Sequence, residues 1–266
     1  MGCKNVVITG GGSGIGFALA KASAQREYQV IILDKEPVAP SHIAQELPEA
    51  DYLSVDVSNF ASVTDAAQNI FSRYQTVDLV FNNAGIMIPG KVCEQDAEQF
   101  SRVINVNLMG AFHVIRTFVP LMRTQDTPSR IVNTSSLAGL IPSPLFGAYN
   151  ASKHGVIALS ETLDYELKME NDTNVSVSVL APGPVATPIM QAAKQEALGD
   201  ETQTLLDYLH ANMQDIGLTP EAIAEVTFKA IENGQYWVFP HPEHLPRIAT
   251  RAQDISEIKD PTFTPW

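Results

Sequence analysis

Short apolar runs alternate with helix-patterned segments along most of the 266-residue chain, and this rhythm limits the fold more than any other feature. "NVVIT" (5–9), "VIIL" (30–33), "YLSVDV" (52–57), "VDLVFN" (77–82), "RIVNTS" (130–135) and "VSVSVL" (175–180) read as strands, with "QYWVFP" (235–240) as a late addition. Amphipathic segments such as "GIGFALAKASAQ" and "SVTDAAQNIFSRY" lie between them. Strands that are apolar on both faces must be covered on both, and parallel strands need crossovers, which helices supply. The expectation is one α/β domain over 1–266, a doubly wound parallel sheet of about seven strands with helices on both faces. The rhythm breaks at about 187–218, where two helices read as a small insertion of the kind that covers a substrate. A Pro-rich tail, about 241–266, is expected to pack over the surface.

Charge and cysteine content exclude some classes of partner. The formal net charge is −13 and no basic run occurs, which argues against nucleic acid or an anionic membrane surface. No apolar run is long enough to span a bilayer, and the opening "MGCKNVVITG" enters a strand directly rather than a leader. Cys3 and Cys93 form no disulfide framework and no zinc spacing, so a reducing, cytoplasmic setting is expected.

"ITGGGSGIG" (8–16) follows the first strand and opens the first helix. Glycines there let the backbone approach a pyrophosphate, and the helix N-terminus favours its negative charge. The spacing, Gly10-x-x-x-Gly14-x-Gly16, departs from the usual dinucleotide fingerprint. The second strand ends at Asp34, about 20 residues beyond the glycines, where an acid accepts hydrogen bonds from a ribose. A carboxylate there repels a 2′-phosphate and favours NAD over NADP; the adjacent Lys35 is the one opposing charge.

"YNASK" places Tyr149 and Lys153 four apart, on one face of a helix. An ordinary tyrosine, with a pKa of about 10, is a poor base near neutrality, and a nearby cation lowers that value. Ser136 ends a strand at the carboxyl edge of the sheet, where ligands bind in open α/β folds. Its hydroxyl can donate to a substrate oxygen and steady developing charge, and the neighbouring Ser135 offers the same chemistry.

These residues, in this order, resemble the short-chain dehydrogenase/reductase family in its compact single-domain branch, a Rossmann-type fold. The resemblance spans roughly 4–240 and includes Thr9-Gly10-x-x-x-Gly14-Ile15-Gly16, Asp56-Val57, Asn82-Asn83-Ala84-Gly85, Asn107 in "NVNLMG", Ser136 in "NTSSLAG", Tyr149 with Lys153, and Pro182-Gly183 with Thr187. It implies a catalytic tetrad of Asn107, Ser136, Tyr149 and Lys153. It implies NAD contacts at Gly10, Ser13, Gly14, Ile15, Gly16, Asp34, Asp56, Val57, Asn83, Ala84, Gly85, Tyr149, Lys153, Pro182, Gly183, Val185 and Thr187. Lys153 would also bond the nicotinamide ribose, and Asn107 would hold a water linking the lysine to solvent. Substrate contacts are expected at Ser136, Ala138, Phe146, Tyr149 and Met190, with no metal. The pocket walls would come from 137–146, from Ile86 and Met87, and from the insertion. The apolar side chains Leu140, Ile141, Leu145, Ile189, Met190 and Leu206 suit a small to medium, largely apolar substrate.

The reading is an NAD-dependent oxidoreductase interconverting a secondary alcohol and a ketone, with Tyr149 as general acid and base. The alternative on the same fold is a non-catalytic dinucleotide-binding sensor or interaction protein, which would need neither Tyr149 nor Ser136. Family members commonly pair their long helices, here near 97–123 and 149–169, so a homodimer or homotetramer is expected. His241 and His244 in "HPEH" lack a third metal ligand and read as surface histidines. His113 reads as a packed helix residue and His154 as a surface or interface one.

Overall fold

The structure, a computed structural model, describes residues 4–196, 207 and 217–262. Seven parallel strands form one sheet: β1 (Asn5–Thr9), β2 (Gln29–Asp34), β3 (Asp51–Ser54), β4 (Leu79–Asn82), β5 (Ser129–Thr134), β6 (Val175–Leu180) and β7 (Trp237–Val238). Their order across the sheet is β3-β2-β1-β4-β5-β6-β7. The helices are α1 (Gly14–Ala24), α2 (Ser41–Glu46), α3 (Phe60–Tyr74), α4 (Ala97–Ile104), α5 (Gly110–Arg123), α6 (Gly147–Met169), α7 (Ile189–Glu196), α8 (Pro220–Glu232) and α9 (Leu245–Ser256).

Side chains alternate across the sheet, so the apolar runs feed two cores. Val6, Ile8, Ile32 and Phe81 pack on one face with Leu19 of α1 and Ile223 and Phe228 of α8. Val7, Ile31, Val80 and Ile131 pack on the other with Val63 and Ile70 of α3 and Phe118 of α5. Each such side chain, fully buried, contributes about 1.5–3 kcal/mol. The pairing is in register from Val6↔Val30 to Thr9↔Leu33 on one side of β1, and from Val6↔Leu79 to Ile8↔Phe81 on the other. The chain therefore reverses its direction of travel between β1 and β4, and a crevice opens at their carboxyl ends.

Three elements differ from the sequence expectation. β3 stops at Ser54 rather than running to 57, because the chain turns at Asp56, whose Oδ1 accepts from the Ser58 amide and hydroxyl. β7 spans two residues rather than six: only Val179↔Trp237 and Leu180↔Val238 pair, and the segment runs into Pro240. The expected helix around Asn107 is interrupted by a π-helical stretch, Asn105–Met109, joining α4 to α5. Of the insertion, α7 and residues 217–218 are described, whereas Leu206 and the side chain of Met190 lie outside the described residues.

Candidate active site

The crevice is closed at its base by side-chain and backbone bonds between the turns after β1 and β4. Thr9 Oγ1 accepts from the amides of Asn83 (2.9 Å) and Ala84 (3.0 Å), and Asn83 Nδ2 donates back to the Thr9 carbonyl (3.2 Å). Gly10 has φ +64°, and a β-carbon there would lie 2.8 Å from Ala84 Cα. A β-carbon on Gly16 would lie 2.1 Å from the Gly10 carbonyl oxygen, so no larger residue fits this turn. Ser13 caps α1 without a side-chain hydrogen bond, which leaves first-turn amides for an anion.

Asp34, at the end of β2, accepts from the Gly12 amide through Oδ2 at 2.8 Å. The glycine turn is thereby tied to the acid expected at the ribose. Asp56 is exposed beyond β3, while Val57 is buried against Gly110. On the far side, Pro182, Gly183, Val185 and Thr187 follow β6; Thr187 lies over the turn, 3.4 Å from where a Gly14 β-carbon would stand. This cradle fits the pyrophosphate and ribose of a dinucleotide: an open helix N-terminus, glycines that admit nothing larger, and an acid at the correct strand end.

The four residues expected to do chemistry converge beside the cradle. Lys153 is 3% exposed, donates from Nζ to the Thr134 carbonyl at 2.7 Å, and stands 5.7 Å from the centroid of the Tyr149 ring. Asn107 is 1% exposed; its Oδ1 accepts from the Ile86 amide (2.8 Å), and its Nδ2 donates to the Ile86 carbonyl (2.9 Å) and to Ser152 Oγ (3.0 Å). The π-helical stretch that carries Asn107 belongs to a class of distortion frequent at functional sites. Gly85 sits between them, with a β-carbon there 3.3 Å from Asn107 Oδ1 and 3.4 Å from Lys153 Nζ. Ser136 Oγ accepts from the Ala138 amide (3.1 Å), donates to the Pro182 carbonyl (3.3 Å) and faces the Tyr149 hydroxyl.

Electrostatics here differ from the sequence expectation. Burial raises the Tyr149 phenol above its ordinary value, and the hydrogen bond with Ser136 opposes this only in part. Burial also lowers Lys153 to about 8. Desolvation of the charged forms thus dominates both shifts.

Over Tyr149, a small apolar cluster joins Met87, Phe146 and Ala193 with Ile189, bringing the start of α7 against the tyrosine. Two further residues matter that sequence reasoning did not assign. Ser152 accepts from Asn107 and donates to the Tyr149 carbonyl at 2.8 Å, linking the asparagine to the tyrosine's helix. It lies within "YNASK", and its spacing was the available signal. His241 is not a surface histidine: it is 3% exposed, and its Nδ1 accepts from the Gly183 amide at 3.0 Å. Its partner is 58 residues away in sequence, so the local "HPEH" pattern could not reveal the contact. His113 packs as expected, its Nδ1 donating to the Val57 carbonyl at 2.8 Å. Among the described residues no group of three metal-ligating side chains occurs, and no helix is long and apolar enough to cross a membrane.

Comparison with known proteins gives a consistent result. Residues 4–198 match the short chain dehydrogenase family. The CLA biosynthesis dehydrogenase/reductase of Lactiplantibacillus plantarum is 29% identical over 270 residues, covering 95% of this chain and 93% of that protein. The C alpha-dehydrogenase of a Sphingobium species is 32% identical over 249 residues, covering 89% and 80%. Among solved structures, a short chain dehydrogenase/reductase from Burkholderia phymatum in complex with NAD superposes with a TM-score of 0.92 at 33% identity, covering 99% of this chain and 98% of that one.

Proposed function

The chain belongs to the short chain dehydrogenase/reductase family of oxidoreductases, and on that premise we propose that it interconverts a secondary alcohol and a ketone with NAD as the preferred cofactor. The observation that carries this reading is the placement of the buried Lys153 ammonium under the Tyr149 ring, with the Ser136 hydroxyl facing the phenol. A bound nicotinamide supplies the hydride acceptor or donor. Tyr149 takes the hydroxyl proton of the alcohol during oxidation and returns it to the ketone oxygen during reduction. Ser136 orients that oxygen and steadies its charge. Lys153, mostly protonated at neutral pH, stabilises the phenolate and bonds the ribose, and Asn107 holds Lys153's surroundings in place.

Asp34 supports the preference for NAD, because its charge opposes a 2′-phosphate. The NAD held by the Burkholderia phymatum neighbour points the same way. Glycines Gly10, Gly14 and Gly16 with Ser13 and Ile15 would hold the pyrophosphate, Asp56 and Val57 would contact the adenine, and Asn83, Ala84, Gly85, Pro182, Gly183, Val185 and Thr187 would contact the nicotinamide half. The substrate lies against Ser136, Ala138, Phe146 and Tyr149, beside the start of α7. The apolar cluster of Met87, Phe146, Ile189 and Ala193 favours an apolar substrate.

Self-association through the helices near 97–123 and 149–169 is part of the proposal, supported by the exposed Met109, Phe112 and Tyr165; gel filtration tests it. A cytoplasmic location goes with it. The deciding assay is a panel of secondary alcohols and ketones followed by NADH absorbance, with NAD and NADP compared. Turnover of any member supports the enzyme; dinucleotide binding with no turnover across the panel would favour a sensor.

A further inference from the structure

One peptide group, between Pro182 and Gly183, is held at both ends. Its carbonyl accepts from the Leu137 amide at 2.9 Å and from the Ser136 hydroxyl at 3.3 Å. Its N–H donates to His241 Nδ1 at 3.0 Å. A peptide group is planar, so turning one end turns the other. The fit is tight: a β-carbon on Gly183 would lie 3.0 Å from both His241 Cγ and Leu137 Cδ1.

We propose that His241 is a positioning residue: while its Nδ1 is unprotonated it fixes the Pro182–Gly183 peptide, and through the Leu137 amide that this peptide's carbonyl holds it fixes the backbone carrying Ser136, whose own proton then swings from Pro182 to the substrate oxygen; protonation of the ring releases that hold. The proposal rests on the reading that Ser136 orients the substrate oxygen. It assigns the tail segment after β7 a part in the reaction.

The chemistry follows from the ring's two nitrogens. Because Nδ1 accepts, the single proton of the neutral imidazole is on Nε2. A second proton would set an N–H against the Gly183 N–H, and the peptide would have to rotate away. The ring is 3% exposed and, among the described residues, Nε2 has no hydrogen-bond partner, so the resulting cation would be buried. Burial places the ring's pKa below its ordinary 6.5. Glu243 and the Pro184 carbonyl favour the proton and His244 opposes it; the turn after β5 contributes only the apolar Leu137 to this contact. The peptide is therefore held at neutral pH and released as pH falls through a midpoint below 6.5.

The test uses the full-length chain with ¹⁵N-labelled glycine and histidine, followed by NMR from pH 8 to 4.5. The expected result is an Nε2–H tautomer for His241 and a Gly183 amide signal that titrates with the His241 midpoint. In parallel, kcat for reduction of a ketone that the panel identifies should fall tenfold per pH unit below that midpoint, with little change in KM. Reduction is the informative direction because protonated Tyr149 is then the required form. His241→Asn offers an amide oxygen to Gly183 but does not titrate; its acid limb should be flat and its Gly183 signal constant. His241→Phe, which offers no acceptor, should lower kcat at every pH. An Nδ1–H tautomer, a Gly183 signal indifferent to His241, or an unchanged acid limb in His241→Asn each overturns the proposal. Absence of turnover at any pH would instead overturn the oxidoreductase reading, and the NMR titration would still decide the role of His241.

Discussion

Lys153 donates from Nζ to the Thr134 carbonyl at 2.7 Å while almost fully buried, so among the described residues this side chain keeps a charge out of water with a single neutral acceptor in contact. Burial lowers it from 10.5 to about 8. The unfolded chain therefore binds more protons than the folded one between those values, and the lysine's contribution to stability improves as pH rises through that window. Lys153→Met removes this dependence. The stability of the wild type relative to the variant should rise by up to about 3 kcal/mol from pH 7 to pH 10, read by urea denaturation at each pH. Turnover in the variant should fall about 100-fold or more at pH 7. A constant stability gap across that range would contradict the buried-charge account.

Tyr149 gives the reaction a direction-dependent pH profile. Its phenol is raised by burial, so the protonated form dominates at neutral pH. Oxidation needs the proton removed, and its kcat/KM should climb with pH through the neutral and alkaline range; reduction, which needs the phenol protonated, should stay level with respect to Tyr149 through neutrality and decline only in the alkaline range. Tyr149→Phe should lose about 1000-fold or more in kcat both ways while NADH affinity, measured by fluorescence titration, stays within about threefold. A variant that still turns over its substrate at near wild-type rate would end the assignment of Tyr149 as acid and base.

Asp34 combines two duties that one substitution can separate. Its Oδ2 accepts from the Gly12 amide, and its charge faces the expected ribose. Asp34→Asn keeps an acceptor for Gly12 and removes the charge. The ratio of kcat/KM with NAD to that with NADP should fall about 10- to 100-fold, with the melting temperature little changed. Asp34→Ala should show the same relaxation together with a loss of about 1 kcal/mol in stability from the unpaired amide.

What could be read before the fold, and what could not, divides along sequence distance. β1 and β2 were legible because a buried parallel strand is a continuous Val/Ile/Leu run, and β5 and β6 because short segments rich in β-branched residues favour strand. The juxtaposition of Tyr149 and Lys153 was legible because residues four apart share a helix face, whereas Ser136 beside them followed from the resemblance alone. The π-helical stretch at Asn105–Met109 was not, since a one-residue shift in backbone bonding leaves no compositional mark. Nor was the rise in the Tyr149 phenol, which depends on how much chain packs over it from α7 and the 137–146 segment. His241 failed for the same reason: its burial is decided by Gly183 and Leu137, far away in sequence.

Asn107 is the element of the site whose structural worth can be measured apart from catalysis. Its amide satisfies both the N–H and the carbonyl of Ile86 and reaches Ser152 as well. Asn107→Ala leaves two main-chain groups and a serine hydroxyl without their partner, which should cost about 2–4 kcal/mol in urea denaturation. Ser152→Ala removes one acceptor from Asn107 and one donor from the Tyr149 carbonyl, and should cost about 1–2 kcal/mol. Because the two residues share a hydrogen bond, the double variant should be less destabilised than the sum of the singles by about 1 kcal/mol. Both substitutions loosen the register between the turn after β4 and the helix that carries Tyr149 and Lys153. Asn107→Ala should therefore lower kcat more than it raises KM. If the two variants prove additive, or if Asn107→Ala is as stable as wild type, the turn at Ile86 is held by other contacts and Asn107 does not brace the site.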